Sequence, residues 1–194
     1  AITNYGTDGG SNAGSWTLSG CGITVSGTVY QTSNEGTAFD CNAVNLDLHV
    51  SVNGGANNDG TCTAANGTFT ISNVTQPGAA GVPVVLYIDT GESQKATTAT
   101  LSATSNGNIS GLSLMVDRVI ITHESGTAMS NAKLATGDNG NAGIRYVVAS
   151  GNLTVESGIE LHVLAGECFT AAGQELTTST RTARGAAGAP HIPA

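Results

Sequence analysis

The sequence has little charge and few aromatic side chains. Only 10% of its 194 residues are Asp, Glu, Lys or Arg, and only 4% are Phe, Trp or Tyr. The good helix formers Lys, Glu, Arg and Leu are scarce, whereas Thr and Val are frequent and favour strands. This composition excludes a helical bundle or coiled coil and predicts an all-β protein. A chain of this length can bury a core without a metal or cofactor, so we expect no cofactor.

Positive charge is scarce and scattered along the chain. Six Lys and Arg residues stand against fourteen Asp and Glu residues, which gives a net charge of -8. Nucleic acids and anionic membrane surfaces are both bound through basic patches, so we expect neither as a partner. No segment approaches the roughly 20 apolar residues that a membrane-spanning helix needs, and we expect no membrane insertion. The start Ala-Ile-Thr is what we expect of a secreted protein after its signal peptide has been removed.

None of the four cysteines forms a Cys-x-x-Cys pair, which argues against a zinc ribbon or a thioredoxin-type site. Such cysteines are typical of a disulfide-bonded secreted protein, extracellular or at the cell surface. Four cysteines can form two disulfides in three different ways. Cys41 and Cys62 flank a predicted hairpin and are favoured as a local pair. Cys21 and Cys168 would then join the two ends of the chain or bond to neighbouring molecules.

Motifs for catalysis are also missing. There is no Gly-x-Ser-x-Gly segment, and His49, His123, His162 and His191 lie in separate segments without His-x-x-x-His spacing. We expect them to be structural, with His123 the most plausible exception. A secreted polysaccharide-active enzyme would need a carboxylate pair in an aromatic cleft, but Trp16 is the only tryptophan. We therefore predict that the protein is not an enzyme and has no catalytic residues.

Two Asp/Asn/Gly segments, 57–60 and 137–143, contain side chains of the kind that bind calcium. The same residue types are required by tight turns, so turn formation is the simpler interpretation. We predict no metal site and keep calcium as a weak alternative. The candidate calcium ligands are Asp59, Asp138, Asn139 and Asn141.

Alternating apolar and polar residues predict many short strands. The clearest alternation spans residues 44–52. Its apolar face consists of Val44, Leu46, Leu48, Val50 and Val52, and its polar face of Asn45, Asp47, His49 and Ser51. A turn follows over residues 53–60. Further strands are predicted over 23–30, 67–72, 82–89, 96–103 and 112–122, the last of them covered on both faces. After residue 122 the predicted strands become shorter, over 132–134, 144–148, 152–155, 159–164 and 168–170.

These segments predict four parts of the chain. An Ig-like β-sandwich is expected over residues 21–122, because strands recur at intervals of about ten residues. Residues 123–173 would form short β-solenoid-like rungs or a second small β-layer packed on the sandwich. The Gly-rich and Thr-rich ends, residues 1–20 and 174–194, would form extended N- and C-terminal arms.

The succession of these segments resembles the β-rich modules that are repeated in large secreted bacterial surface proteins. In those modules an Ig-like or prealbumin-like sandwich leads into short β-helix-like rungs. The resemblance covers roughly residues 23–173 and implies a structural or adhesive role without a catalytic motif. It rests on residues 27–30, 35–37, 44–53, 67–71, 84–89, 108–112, 117–121, 123–124 and 152–158.

Weakly charged sheets need a way to protect their open edges, and an extended strand from another subunit is one such way. We therefore predict an extracellular structural subunit that self-assembles into a filament, pilus-like fibre or surface layer by strand exchange (donor-strand complementation) between copies of itself. In the N-terminal arm, Ile2, Tyr5, Trp16 and Leu18 are the candidate anchors. The alternative is an adhesin or carbohydrate-binding surface module that binds a surface glycan, with calcium as a stabilising ion.

Overall fold

A computed structural model describes residues 22–31, 36–122, 127–164, 167–170, 176–178 and 184–185, the last two ranges as backbone only. The all-β prediction is confirmed, because one short helix accompanies many strands in these ranges. In chain order the elements are β1 (Ile23–Tyr30), β2 (Leu46–Val52), β3 (Asn57–Cys62), β4 (Thr68–Val74), β5 (Pro83–Ile88), β6 (Ala96–Leu101), β7 (Ile109–Met115), β8 (Arg118–Ile121), β9 (Met129–Ser130), α1 (Asn131–Gly137), β10 (Tyr146–Ala149), β11 (Asn152–Val155), β12 (Glu160–Val163), β13 (Phe169–Thr170), β14 (Leu176–Thr178) and β15 (Arg184–Gly185).

A seven-stranded sheet forms the central layer, in the order β15-β12-β8-β6-β5-β2-β3. In this sheet, β3, β2, β5 and β6 are neighbours and each runs antiparallel to the next. In contrast, β8 runs parallel to β6, and β12 runs parallel to β8. Every residue of β5 and β6 is buried. A strand that is buried along its whole length must be covered on both faces, because its side chains alternate between them. The central sheet therefore lies between two other layers.

One outer layer is the sheet β4-β1-β7, in which β1 pairs antiparallel with β4 and parallel with β7. Its inward side chains pack against those of β2 and alternate residues of β5. These side chains and the two disulfide cysteines form one buried cluster, which we call the first core cluster. Its buried members are Ile23, Val25, Val29, Cys41, Leu46, Leu48, Val50, Val52, Cys62, Phe69, Ile71, Val74, Val84, Leu86, Ile88, Ala96, Ile109, Leu112, Leu114 and Val116.

The opposite face of the central sheet is covered by α1 and by the hairpin of β10 and β11, to which β14 adds a third strand. We call the core on this side the second core cluster. Its buried members are Val85, Tyr87, Ala99, Leu101, Val119, Ile121, Met129, Leu134, Ile144, Tyr146, Leu153, Val155, Ile159 and Leu161. The two clusters use alternate residues of β5, so the molecule is a stack of β-layers. An Ig-like topology and solenoid rungs remain predictions.

Close packing of β1 on β7 depends on a glycine. A Cβ atom at Gly27 would lie 2.0 Å from the carbonyl oxygen of Leu112, a distance that no real contact allows. The β1–β7 register shifts between Val25 and Gly27, so the backbones approach closely at an irregular point of the ladder. Glycine is the residue that permits such an approach.

One predicted strand is a helix. Residues 132–134 lie in α1, whose first turn is capped by Ser130, the Oγ of which accepts a hydrogen bond from the backbone N–H of Lys133. Ala132, Lys133 and Leu134 are all good helix formers, and a serine cap satisfies a helix N–H that would otherwise lack a partner. The prediction was wrong because three residues are too few to show a helical period.

Two other boundaries differ from those predicted. The segment 112–122 is two strands in different sheets, because the chain turns at Asp117, where φ is 58°. The turn predicted over 53–60 is shorter, since β3 begins at Asn57 and pairs with β2 from Ser51 to Leu46. The tight part of that turn is Asn53 and Gly54, both with positive φ.

The C-terminal arm contains two short strands that join the chain's own sheets. β14 pairs with β11, and β15 pairs with β12. Because β12 pairs with β8, residues on both sides of position 122 share the central sheet. The N-terminal arm lies outside the described residues. No helix in the described ranges is long and apolar enough to cross a membrane.

Candidate functional site

The outer edge of β10 has no strand paired with it in the described part of the chain. β10 is the last strand of its sheet on one side, and β11 is its neighbour on the other. Ser150 and Gly151, both with positive φ, form the two-residue turn between the two strands. Ala149 and Asn152 therefore form the first hydrogen-bonded pair of this hairpin, and Val147 with Thr154 forms the next.

This alternation determines which backbone groups are left over. Since Val147 and Ala149 use their backbone groups towards β11, the N–H and C=O groups of Tyr146 and Val148 point away from it. No backbone partner for these groups lies in the described ranges. Tyr146 is only 2% exposed and α1 packs beside it, so of these groups only those of the half-buried Val148 lie near the surface. We call this row of groups the β10 edge.

The sequence of β10, Tyr-Val-Val-Ala, has no charge and no proline, and its pairing with β11 contains no bulge. Its protection comes from α1 beside it: the Tyr146 hydroxyl donates to the carbonyl of Leu134 at 3.1 Å, and the Asn131 amide donates to the carbonyl of Gly151 at 2.7 Å. Val147 is 57% exposed, and the other exposed large hydrophobic side chain among the described residues is Val44, at 42%. Arg145, directly before the strand, is buried and offers no charge at the surface.

Two other described edge strands, β3 and β7, carry side-chain contacts. In β3, the side-chain oxygen of Asn58 accepts hydrogen bonds from the N–H (3.0 Å) and Oγ1 (3.2 Å) of Thr75, just beyond β4, and so bridges the two strands. In β7, the carbonyl of Ser113 accepts a hydrogen bond from Thr98 Oγ1 at 2.6 Å. These contacts use polar groups that would otherwise attract another strand.

A second candidate is an open groove of about 360 Å³ on the polar side of β2 and β3. At its centre, Nδ1 of His49 lies 2.7 Å from Oδ1 of Asp59, and Nε2 lies 3.3 Å from Oδ1 of Asp89. The imidazole ring also packs against Tyr87, with ring centroids 5.5 Å apart. Asp47, Gly60 and Thr61 complete the lining.

The groove is acidic, and its histidine is fully engaged. The backbone N–H of Thr90 lowers the pKa of Asp89 below its ordinary value, and the neighbouring His49 adds to this effect. Burial raises the pKa of Tyr87, whose hydroxyl donates to Asn57 Oδ1 at 2.7 Å. Because carboxylates lie at both ring nitrogens of His49, neither nitrogen is left to activate a nucleophile.

The candidate calcium ligands do not converge in the described ranges. Asp59 contacts His49, whereas Asp138 and Asn141 accept hydrogen bonds from the N–H groups of Gly140 and Gly143 in their own loop. Asn139 accepts from Asn141 N–H, and its amide donates to Asn57 Oδ1 at 2.7 Å. The described chain contains no group of three or more His, Cys, Asp and Glu side chains that could hold a metal ion.

Three of the four cysteines lie in the described residues, and two of them form a disulfide. Cys41 and Cys62 form the favoured local disulfide, with Cα atoms 5.5 Å apart, and both are completely buried in the first core cluster. Cys168 is exposed and forms no disulfide with another described residue. Cys21 lies outside the described residues, so its pairing with Cys168 remains a prediction.

The remaining predicted site residues are mostly beyond the described ranges. These include the arm anchors Ile2, Tyr5, Trp16 and Leu18, together with His123 and His191. His162 lies on β12, where it pairs in register with Ile120 of β8. Sequence reasoning did not single out the β10 edge, nor Asp47 and Asp89 in the groove.

An ion-pair network lies beside the start of β10. Glu156 accepts a hydrogen bond from Lys95 Nζ at 2.5 Å, and its other oxygen accepts one from Arg145 at 3.2 Å. The Arg145 guanidinium also donates to the carbonyl of Ala142. The hydrogen bond from Lys95, together with the charge of Arg145, lowers the pKa of Glu156 below its ordinary value. This network fixes the segment that leads into the hairpin.

Glu156→Gln is expected to reduce stability at neutral pH and to change it little in acid. Because the pKa of Glu156 is lowered on folding, its carboxylate stabilises the protein above the ordinary value of 4.5, and the contribution is lost as pH falls through the lower, folded value. Urea unfolding at pH 7 and at pH 3 measures this. Lys95→Met should show the same pH dependence, and an equal loss at both pH values would contradict the assignment.

Comparison with known proteins gives no relative: no family model matches the chain, and no curated protein or solved structure is significantly similar to it.

Proposed function

We propose that this chain is an extracellular structural subunit that self-assembles into a filament, pilus-like fibre or surface layer by β-strand exchange between copies. The observation that carries the proposal is the β10 edge, an unpaired strand edge without charge, proline or bulge. A monomeric protein normally blocks such an edge, because it templates association with other chains. The part of this edge nearest the surface, around Val147 and Val148, is where a strand from a neighbour could be accepted.

The composition supports the same proposal. Few surface charges oppose close approach of identical chains, since only 10% of the residues are charged. The resemblance to modules of bacterial surface proteins favours a structural role. Each of these observations is independent of the β10 edge.

An extracellular or cell-surface location is part of the proposal. Disulfides persist in oxidising compartments and are rare in the cytosol. The Cys41–Cys62 bond is buried in the first core cluster, where it stabilises the body of the subunit. A subunit that must survive outside the cell benefits from such a covalent link.

Deletion of residues 1–18 is expected to leave a folded body that does not assemble. The described members of both core clusters all lie from Ile23 onwards, so the deletion removes none of them. The deleted segment contains the four candidate anchors of the arm. Electron microscopy and light scattering measure assembly, and circular dichroism with urea unfolding verifies the fold.

The full-length chain at the same concentration and pH is the positive control. Polymers formed by the truncated, folded chain would show that the arm is not the donated strand. A full-length chain that stays as dispersed particles under oxidising conditions would contradict the proposed function itself.

The groove around His49 favours a second candidate function, a surface module that binds a glycan. Carboxylates such as Asp47, Asp59 and Asp89 can accept hydrogen bonds from sugar hydroxyl groups. Against this, Tyr87 is buried and gives no exposed aromatic platform for a sugar ring. A glycan array with and without calcium tests the candidate, with Asp89→Asn as the binding-site variant, and a blank array would count against it.

A further inference from the structure

We propose that Asn66 is the acceptor of an N-linked glycan, which is attached to its side-chain nitrogen Nδ2. Residues 66–68 read Asn-Gly-Thr, an acceptor motif of the form Asn-x-Thr in which the middle residue is not proline. The segment lies in the connection between β3 and β4, with Asn66 and Thr68 both exposed. This inference rests on the extracellular location in the proposed function, because the modification is made on secreted chains.

The chain contains four motifs of the form Asn-x-Ser/Thr, which begin at Asn66, Asn73, Asn108 and Asn152. A sequence rich in Asn and Thr contains such motifs by chance, so the structure has to decide among them. An acceptor needs an exposed amide whose nitrogen is not bonded within the fold. It also gains from a hydrogen bond between the hydroxyl two residues later and the amide oxygen. That bond draws electrons towards the oxygen, so a proton on the nitrogen is easier to remove.

Asn66 meets both conditions. Its Oδ1 accepts hydrogen bonds from Oγ1 of Thr68 at 2.8 Å and from the backbone N–H of Thr68 at 3.3 Å. Both contacts use the amide oxygen, and Nδ2 donates no hydrogen bond within the described residues. The nitrogen of this exposed side chain is therefore left available to react.

The turn that carries Asn66 is held by the fold. Gly67 has a φ of 69°, its N–H donates to the carbonyl of Ala64 at 2.9 Å, and its carbonyl accepts from the N–H of Val29 at 2.8 Å. A Cβ atom at this position would lie 2.5 Å from the carbonyl oxygen of Val29, so the middle residue of the motif has to be glycine. A fixed backbone therefore keeps the two contacts between Asn66 and Thr68 in place.

The other three motifs are engaged differently. In the motif at Asn73, the N–H and Oγ1 of Thr75 both donate to Oδ1 of Asn58. The amide oxygen of Asn108 accepts a hydrogen bond from a backbone N–H of β1 at 2.9 Å. Asn152 lies in β11, the middle strand of its sheet. The described contacts therefore single out the motif at residues 66–68, in which the hydroxyl bonds to the amide oxygen of its own asparagine.

The glycan donor is a glycosyl diphosphate, an oligosaccharide joined through its anomeric carbon C1 to a diphosphate. A bond forms between C1 and Nδ2 of Asn66 while the bond from C1 to the diphosphate oxygen breaks. The diphosphate leaves with the electron pair of that bond, and one proton of Nδ2 passes to a base of the glycosyltransferase. Nothing is oxidised or reduced, so no further reactant is required.

A glycan at this position would change the surface in two ways. It adds a bulky and well-hydrated group to a chain in which only 10% of the residues are charged, and so favours solubility. It also stands at the connection between β3 and β4, which are the last strands of their sheets. Another chain is thereby kept from pairing at this end of the two edges, and association is directed to other surfaces.

The full-length chain, secreted from a eukaryotic host through an added signal peptide, tests the proposal. Its intact mass is measured before and after digestion with peptide-N-glycosidase, which releases the glycan and converts the acceptor asparagine to aspartate. Peptide mapping then gives the occupancy of each motif. We expect Asn66 to be occupied in most molecules, and Asn73, Asn108 and Asn152 in few.

Three substitutions separate the motif from its geometry. Thr68→Ala removes the hydroxyl and should abolish the glycan at Asn66, whereas Thr68→Ser retains a hydroxyl and should keep it. Gly67→Ala keeps the motif but strains the turn, because alanine disfavours a positive φ, and it should lower the occupancy. Thr75→Ala, in the motif at Asn73, is the matched control and should leave the glycan at Asn66 unchanged. Circular dichroism verifies that each variant folds, and the Thr68 pair decides the matter if Gly67→Ala does not.

The outcomes are separable from those for the proposed function. The inference is overturned if the secreted chain carries no glycan at Asn66 while a control glycoprotein from the same host is glycosylated. Equal occupancy of all four motifs, or an unchanged occupancy in a folded Gly67→Ala chain, overturns the selection by the turn. Assembly is measured separately. A chain with the glycan at Asn66 that stays dispersed contradicts the proposed filament and not this inference, and filaments of chains without this glycan do the reverse.

Discussion

Replacing Cys41 and Cys62 together by alanine is expected to lower the free energy of unfolding by about 3 kcal/mol, because the bond closes a loop of 21 residues whose unfolded ensemble it restricts. The loop contains β2 and β3, the strands at one end of the central sheet. Both sulfur atoms are buried in the first core cluster, so alanine leaves a small apolar cavity that adds to the loss. Urea unfolding under oxidising conditions measures the effect.

Reduction provides the control for this double variant. Dithiothreitol should destabilise the unmodified chain by a similar amount and leave the Cys41/Cys62 variant unchanged, since the described residues contain no other disulfide. If the reductant also destabilises the variant, a further disulfide exists, and Cys21 with Cys168 becomes its predicted pair. An unmodified chain that loses nothing on reduction would contradict a stabilising Cys41–Cys62 bond.

Much of the fold could be predicted because strand alternation is a local property. The alternation of residues 44–52 correctly indicated that Leu46, Leu48, Val50 and Val52 face the core, and all four are buried. It wrongly placed Val44 on the same face: Val44 is 42% exposed, because it lies in the bend before β2 begins at Leu46. The segment 23–30 matches β1 at both ends. The burial of residues 83–88 on both faces was not predicted, although their continuous apolar run is of the kind that led to this prediction for residues 112–122.

The candidate site could not be predicted in the same way, because strand order depends on contacts between distant segments. Nothing within the sequence Tyr-Val-Val-Ala indicates that β10 ends a sheet while the similar β5 lies in the middle of one. The groove depends on pairing too: His49 faces Asp59 across the β2–β3 ladder, while Asp89 arrives from the end of β5. A β2–β3 hairpin prediction would have revealed the first contact but not the second.

The layered arrangement makes a prediction about two adjacent residues of β5. Val84→Ala and Val85→Ala should each lower the free energy of unfolding by about 2–3 kcal/mol, because each removes two buried methyl groups. Val84 belongs to the first core cluster and Val85 to the second, and both are completely buried. A single sandwich would leave one of these faces exposed to solvent, and one of the two substitutions would then cost little.

Val85 is the more informative of the pair because its cover comes from the second half of the chain. α1 packs directly over it: a Cβ atom at Gly137 would lie only 2.8 Å from Val85 Cγ2. Val147→Ala is the exposed control, expected to change stability by less than about 0.5 kcal/mol. Equal losses at Val84 and Val85 would support two covered faces. A loss at Val85 no larger than that of the control would mean that α1 and the β10–β11 hairpin do not pack on the central sheet. The β10 edge would then lose the rigid support that an acceptor strand requires.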